Sequence, residues 1–152
     1  EIAREPMKDY LLKTVIVPWD FSDMSKEALD AALAMVDSPD QIEVVHVTAY
    51  PATVEPGIVW GTITEAKIQT NLSNEFARFC ASGDLPDLRF TTTFGDPGSR
   101  ISEIAKASDA GLIVISSHGR TGLNRVFLGS VAERVVRLAP CPVLVLRGDK
   151  KN

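Results

Sequence analysis

The sequence predicts an α/β protein with a parallel five-stranded sheet covered by helices on both faces. Three observations carry that prediction. Thr14–Pro18, Ile42–Thr48, Leu112–Ser116 and Val143–Leu146 are nearly continuous aliphatic runs, as strands buried on both faces require. Leu88–Phe94, "LRFTTTF", alternates more and is rich in β-formers, which suits an edge strand. Helical periodicity fills the gaps, giving the order β-α-β-α-β-α-β-α-β. Strands that alternate with helices imply right-handed crossovers.

Each helix has its own signature. Ala28, Ala31, Ala32, Met35 and Val36 recur at amphipathic spacing, with Ser22 and Asp23 as candidate caps. Ile68, Leu72, Phe76 and Phe79 mark a second helix, which Gly83 closes. Asp96-Pro97 supplies an N-cap and a first-position proline for a third, continued by Ile101, Ile104, Ala105 and Ser108. Ser130-Val131-Ala132-Glu133 reads as a capping box for a fourth, running to about Leu138 before Pro140.

The chain has 152 residues, 45% of them hydrophobic and 24% charged. That is one domain, residues 1–152, with enough apolar material for a full core. A net charge of −4 argues against nucleic acid or an anionic membrane as the main partner. Cys80 and Cys141 form neither a zinc pattern nor a disulfide framework; both read as core residues of a cytoplasmic protein. The segment "EIAREPMKDY" has no apolar signal region, and no run approaches the ~18 apolar residues of a membrane helix. "AYPATVEPGIVWGT" is the longest irregular segment, with Trp60 as a candidate lid or partner surface.

In an open α/β sheet, ligands bind beyond the carboxyl ends of the strands, at the topological switch point. Three segments end there: "VPWDFS" (17–22), "HVTAY" (46–50) and "SSHGRTGLNRVFLGS" (116–130). In the last, Gly119 and Gly129 let backbone approach a ligand. Ser130 and the amides of Val131 and Ala132 open a helix, whose N-terminus favours an anion, and Arg120 and Arg125 can add charge. The competing reading is structural: a self-sufficient capping box after a glycine-rich loop. The loop is neither a P-loop nor a GxGxxG fingerprint. Asp20 can accept hydrogen bonds from ribose hydroxyls or serve as an ordinary loop aspartate. His118 can contact phosphate or bond to backbone. His46, inside a strand, reads as a packed residue, and the two histidines form no metal constellation.

Together these segments resemble the universal stress protein family, in register from about Lys13 to Arg147. Gly119, nine residues to Leu128, then Gly129-Ser130 meet the spacing of the G-x2-G-x9-G-[ST] motif of its ATP-binding members. "IVPWDFS", "GDPGSRI" and "APCPVLVL" are similarly typical. The resemblance implies an adenine nucleotide alpha hydrolase-like fold with strand order 3-2-1-4-5. It also implies binding of ATP (or AMP or ADP), with Mg²⁺ arriving on the nucleotide. It further implies a homodimer through Val143, Leu144, Val145 and Leu146. By position, Asp20 bonds ribose and the Val47 backbone meets adenine, with Pro18, Trp19 and Ile115 nearby. Ser116 faces ribose or phosphates, while Gly119, Gly129, Ser130 and Val131 cradle the phosphates, flanked by His118 and Arg120.

Two positions depart from the pattern. Ser116 replaces the first motif glycine, a penalty if that backbone needs positive φ. Trp19 is large where the family often has a small residue. A regulatory nucleotide binder, at most a weak ATPase, is therefore the expected function. The alternative is a dimeric interaction module without nucleotide. SGGxDS and HxGH motifs of related ATP-using enzymes are absent from the sequence.

Overall fold

A computed structural model describes residues 10, 13–49, 65–118 and 128–147. Five strands and four helices alternate in it: β1 (Val15–Pro18), α1 (Asp23–Met35), β2 (Ile42–Thr48), α2 (Glu65–Ser82), β3 (Arg89–Phe94), α3 (Pro97–Ala107), β4 (Leu112–Ser116), α4 (Ser130–Leu138) and β5 (Val143–Leu146). A single 3₁₀ turn, Pro39–Gln41, leads into β2. All pairings are parallel, in the order β3-β2-β1-β4-β5. The predicted fold class and strand order are those observed. Trp60, Arg125, Gly119 and Arg120 lie outside the described residues.

The period-2 alternation of the strands divides the core in two. Val15, Val17, Ile42, Val44, Leu112 and Val114 face α1 and α2. Ile16, Val45, Ile113 and Ile115 face α3 and α4. Full burial of one such side chain contributes about 1.5–3 kcal/mol, which makes the three central strands the most strongly held part of the sheet. The residues of β5 are half-buried throughout, because nothing described pairs with its outer edge. Burial pushes the thiols of Cys80 and Cys141 up, with Asp87 adding to the effect at Cys80. Both thiols therefore stay protonated, as core residues would.

The sheet also makes the site. Between β1 and β4 the register covers Val15↔Leu112 and Ile16↔Ile113 only. On its other side β1 stays paired with β2 through Pro18↔Val45. The two central strands therefore part at their carboxyl ends, where crossovers leave in opposite directions. That is the switch point at which an α/β sheet opens a crevice.

Three details at the ends of elements go beyond the sequence reading. Gly83 follows α2, but the left-handed residue of that turn is Asp84, at φ 50°. Trp19, expected near the ligand, is 4% exposed. Its indole packs against Phe21, Phe76 and Phe79 at centroid distances of 5.8, 5.4 and 4.8 Å. Third, the capping box at Ser130 does not form. Gly129 is the N-cap, at φ −62° and ψ 152°, without a side-chain cap. Ser130 is already the first helical residue, and the Glu133 carboxylate pairs with Arg137 at 2.6 Å instead.

Candidate functional site

A cavity of about 270 Å³ opens where β1 and β4 part. It draws on residues from three segments that are remote in sequence. Pro18 ends β1 and Trp19 and Asp20 follow it, Val45 and Val47 lie near the end of β2, and Ile115 and Ser116 end β4 with Ser117 and His118 beyond. Gly129, Ser130, Val131 and Ala132 close one side. Of the twelve positions predicted for the site, ten line this cavity. The other two, Gly119 and Arg120, fall outside the described residues.

Three helices begin at its rim: α1 contributes Ser25, α3 contributes Pro97 and α4 contributes its first three residues. Their termini are finished differently. On α1, the Ser22 hydroxyl accepts from the Ser25 amide at 3.1 Å. On α3, Asp96 Oδ2 accepts from the Ser99 amide at 2.9 Å. The Ser99 amide holds the Asp96 carboxyl below the usual carboxylate range, with the Ser99 hydroxyl and the Arg134 guanidinium adding to it. On α4 the N-cap is a glycine, and among the described residues no side chain caps the helix. The amides of Ser130, Val131 and Ala132 have no carbonyl one turn back within the helix, so they present donors and a positive partial charge to the cavity. An anion placed there gains ~0.3–1 kcal/mol from the dipole alone.

Gly129 sets this arrangement. Its amide donates to the Ser117 carbonyl at 2.7 Å, and a Cβ on it would lie 2.7 Å from that same oxygen and 3.4 Å from His118 Cα. Beyond the access to a ligand expected from the sequence, the glycine is therefore required by the protein's own backbone. Gly98 has a parallel role, since a Cβ there would meet the Arg134 side chain at 2.6 Å. Its absence lets α3 and α4 approach and bring both starts to the rim.

Ser116 meets no backbone penalty. Among the described non-glycine residues, positive φ is confined to Phe21, Asp84 and Asp109. Ser116 lies within β4, opposite Leu146, and is 9% exposed. Ser117 is tied more firmly: its amide donates to the Leu146 carbonyl at 2.7 Å, and its hydroxyl lies 3.1 Å from His118 Nδ1.

Asp20 lines the same cavity, just beyond β1. Its Oδ1 accepts from the Ser22 amide at 3.0 Å and from the Ser22 hydroxyl. The next residue, Phe21, is left-handed at φ 63°, which costs on the order of 1–3 kcal/mol in a non-glycine residue. That strain sits between the strand end and the α1 cap. His46, read from the sequence as a packed residue, touches the same turn: Nδ1 lies 2.8 Å from the Trp19 carbonyl. The missed signal was register, since His46 directly follows Val45, the residue opposite Pro18.

The family model for the universal stress protein family matches residues 12–147. This chain belongs to that family. The universal stress protein MJ0531 of Methanocaldococcus jannaschii is 34% identical over 148 residues, covering 93% of this chain and 86% of its own length. YxiE of Bacillus subtilis, also a universal stress protein, is 29% identical over 150 residues, covering 90% of this chain and all of its own. Among solved structures, the universal stress protein UspA from Lactobacillus plantarum aligns with a TM-score of 0.69 and 26% identity, covering 89% of this chain and 97% of its own. A universal stress protein in complex with cAMP shares the fold at a TM-score of 0.60 and 19% identity, over 88% of this chain and 96% of that one. Among the described residues, no helix is long and apolar enough to cross a membrane.

Proposed function

We propose that this universal stress protein binds an adenine nucleotide, ATP or its di- and monophosphates, in the cavity between β1 and β4. The observation that carries the reading is the N-terminus of α4, without a side-chain cap at Gly129, on a cavity that Asp20 also lines. The amides of Ser130, Val131 and Ala132 would hold phosphate oxygens, and His118 stands beside them. Asp20 would accept from ribose hydroxyls, while Val47 and Ile115 offer an apolar wall for the base. Mg²⁺ would arrive with the nucleotide and neutralise phosphate charge. The complex of a fold relative with cAMP, itself an adenine nucleotide, is consistent with this assignment.

The residues favour binding over fast turnover. Asp20 spends Oδ1 on two bonds from Ser22, which suits a fixed acceptor better than a base that must reach an in-line water. A regulatory protein with at most weak ATPase activity follows. The rival reading, an interaction module without nucleotide, drew on Ser116 and Trp19. The backbone of Ser116 is not left-handed and the Trp19 indole packs on Phe76 and Phe79, which favours the nucleotide reading over this rival.

The half-buried β5 edge suits a homodimer built on Val143, Leu144, Val145 and Leu146, since an unpaired hydrophobic edge is an aggregation hazard. Sedimentation velocity should give a dimer; monomer alone at tens of micromolar would remove this part. For the nucleotide, purified protein is denatured and the released small molecules are analysed. ATP and AMP are then titrated by calorimetry. Bound adenine nucleotide or saturable heat supports the reading, and neither signal at millimolar ATP overturns it.

A further inference from the structure

We infer that His46 is a positioning residue, which holds the turn around Asp20 in the one backbone shape that presents the carboxylate to the cavity. The inference rests on the nucleotide reading above and goes beyond it, because His46 is not itself among the residues that line the cavity.

The first contact is the hydrogen bond from Nδ1 to the Trp19 carbonyl, at 2.8 Å. A carbonyl oxygen can only accept, so Nδ1 carries the proton. The Trp19 amide meanwhile donates to the Val45 carbonyl at 2.8 Å. The residue before Asp20 is thus tied at both its amide and its carbonyl, by neighbouring residues of one strand.

The residue after Asp20 is held by packing. Phe21 has no side-chain hydrogen bond with which to offset its left-handed backbone, unlike Asn or Asp. Its ring instead lies 5.5 Å from the His46 ring and 5.8 Å from that of Trp19, centroid to centroid. His46 therefore touches the turn on both sides of Asp20, by hydrogen bond before it and by ring contact after it. Beyond Phe21, Ser22 gives its amide and hydroxyl to Asp20 Oδ1.

The consequence is specific. Without the Nδ1 donor, the half-buried Trp19 carbonyl loses its partner and the Trp19–Asp20 peptide is free to rotate. A carboxylate that has swung away no longer recognises ribose hydroxyls, whereas phosphate binding at α4 is untouched. A purely structural His46 would lower stability and leave the preference for ribose unchanged.

The test compares ATP with 2′,3′-dideoxy-ATP by calorimetry in the full chain, for wild type, His46→Phe and His46→Asn. Phe keeps a ring but lacks the donor. Asn places an amide N–H close to the position of Nδ1. Wild type should prefer ATP by at least about tenfold, the scale of hydrogen bonds to a charged group. His46→Phe should bring the preference below about threefold, and His46→Asn should restore it to within about threefold of wild type. Should His46→Phe fail to fold, His46→Leu, which also lacks a donor, gives the same reading. A donor-less variant that keeps the wild-type preference overturns the inference and leaves nucleotide binding standing, as does an Asn variant no better than Phe. A wild type that binds neither nucleotide overturns both.

Discussion

Helices α3 and α4 pack side by side and begin at the rim of one cavity, yet their first turns are finished in opposite ways. On α3 the Asp96 carboxylate accepts from the Ser99 amide and also pairs with Arg134 at 3.0 Å. On α4 the N-cap is Gly129, which has no side chain to offer, and the carboxylate of Glu133 is drawn to Arg137. A capped terminus has its donors satisfied within the protein. A bare one lacks that partner, at a cost in helix stability of about a few tenths of a kcal/mol when the N-cap is glycine. The contrast shows which of two neighbouring helix ends has no cap of its own, and the proposed phosphate site rests on it.

The comparison breaks most completely at Gly129. Gly129→Val puts carbon against the Ser117 carbonyl, so the start of α4 must shift. We expect ATP binding to be lost and about 1–3 kcal/mol of stability to go with it, read by calorimetry and urea denaturation. Unchanged affinity would show that the α4 start has no part in binding.

Ser130→Asp separates binding from stability. A carboxylate at the first helical position interacts favourably with the dipole and should raise stability by roughly 0.3–1 kcal/mol. The same charge repels phosphate, and at a half-exposed helix end it should weaken ATP roughly tenfold to a hundredfold. A variant that gained stability and bound ATP normally would place the phosphates elsewhere.

At a capped terminus the expected effects are smaller. Ser22→Ala removes the cap of α1 and should cost about 1 kcal/mol in denaturant melts. It also removes one of the two bonds to Asp20, so ATP affinity should fall only a few-fold. At α3 the effect is a pH slope. The folded-state pKa of Asp96 lies below its unfolded value, so its contribution to stability is complete above the usual carboxylate range. It is lost as pH falls through the lowered value. Asp96→Asn keeps a capping oxygen without the charge. Melts in acid should show a shallower pH dependence than wild type, with ATP affinity at neutral pH unchanged.

Sequence pattern reached the strands and the switch point because aliphatic runs such as Leu112–Ser116 bury both faces wherever they lie. It reached Asp20 and Gly129-Ser130 through interval and position after a strand. It did not reach the state of the α4 terminus. Ser130 and Glu133 satisfy the capping-box spacing, but the box needs Ser130 outside the helix. The hydrogen bond from Gly129 to Ser117 starts the helix one residue earlier, a long-range constraint that no local pattern contains. Trp19 and His46 were legible only in part for a related reason. Trp19 lines the cavity, as expected, but its ring contacts with Phe76 and Phe79 come from α2. His46 is packed, as read, and its bond to the Trp19 carbonyl comes from the turn after β1.

The central claim is that phosphates of an adenine nucleotide meet the bare end of α4. Titration of ATP, AMP and adenosine into the same preparation tests it most directly. Affinity should fall in the order ATP, AMP, adenosine, with adenosine at least about tenfold weaker than ATP. Equal affinity for all three, or no saturable heat from ATP, would contradict the account.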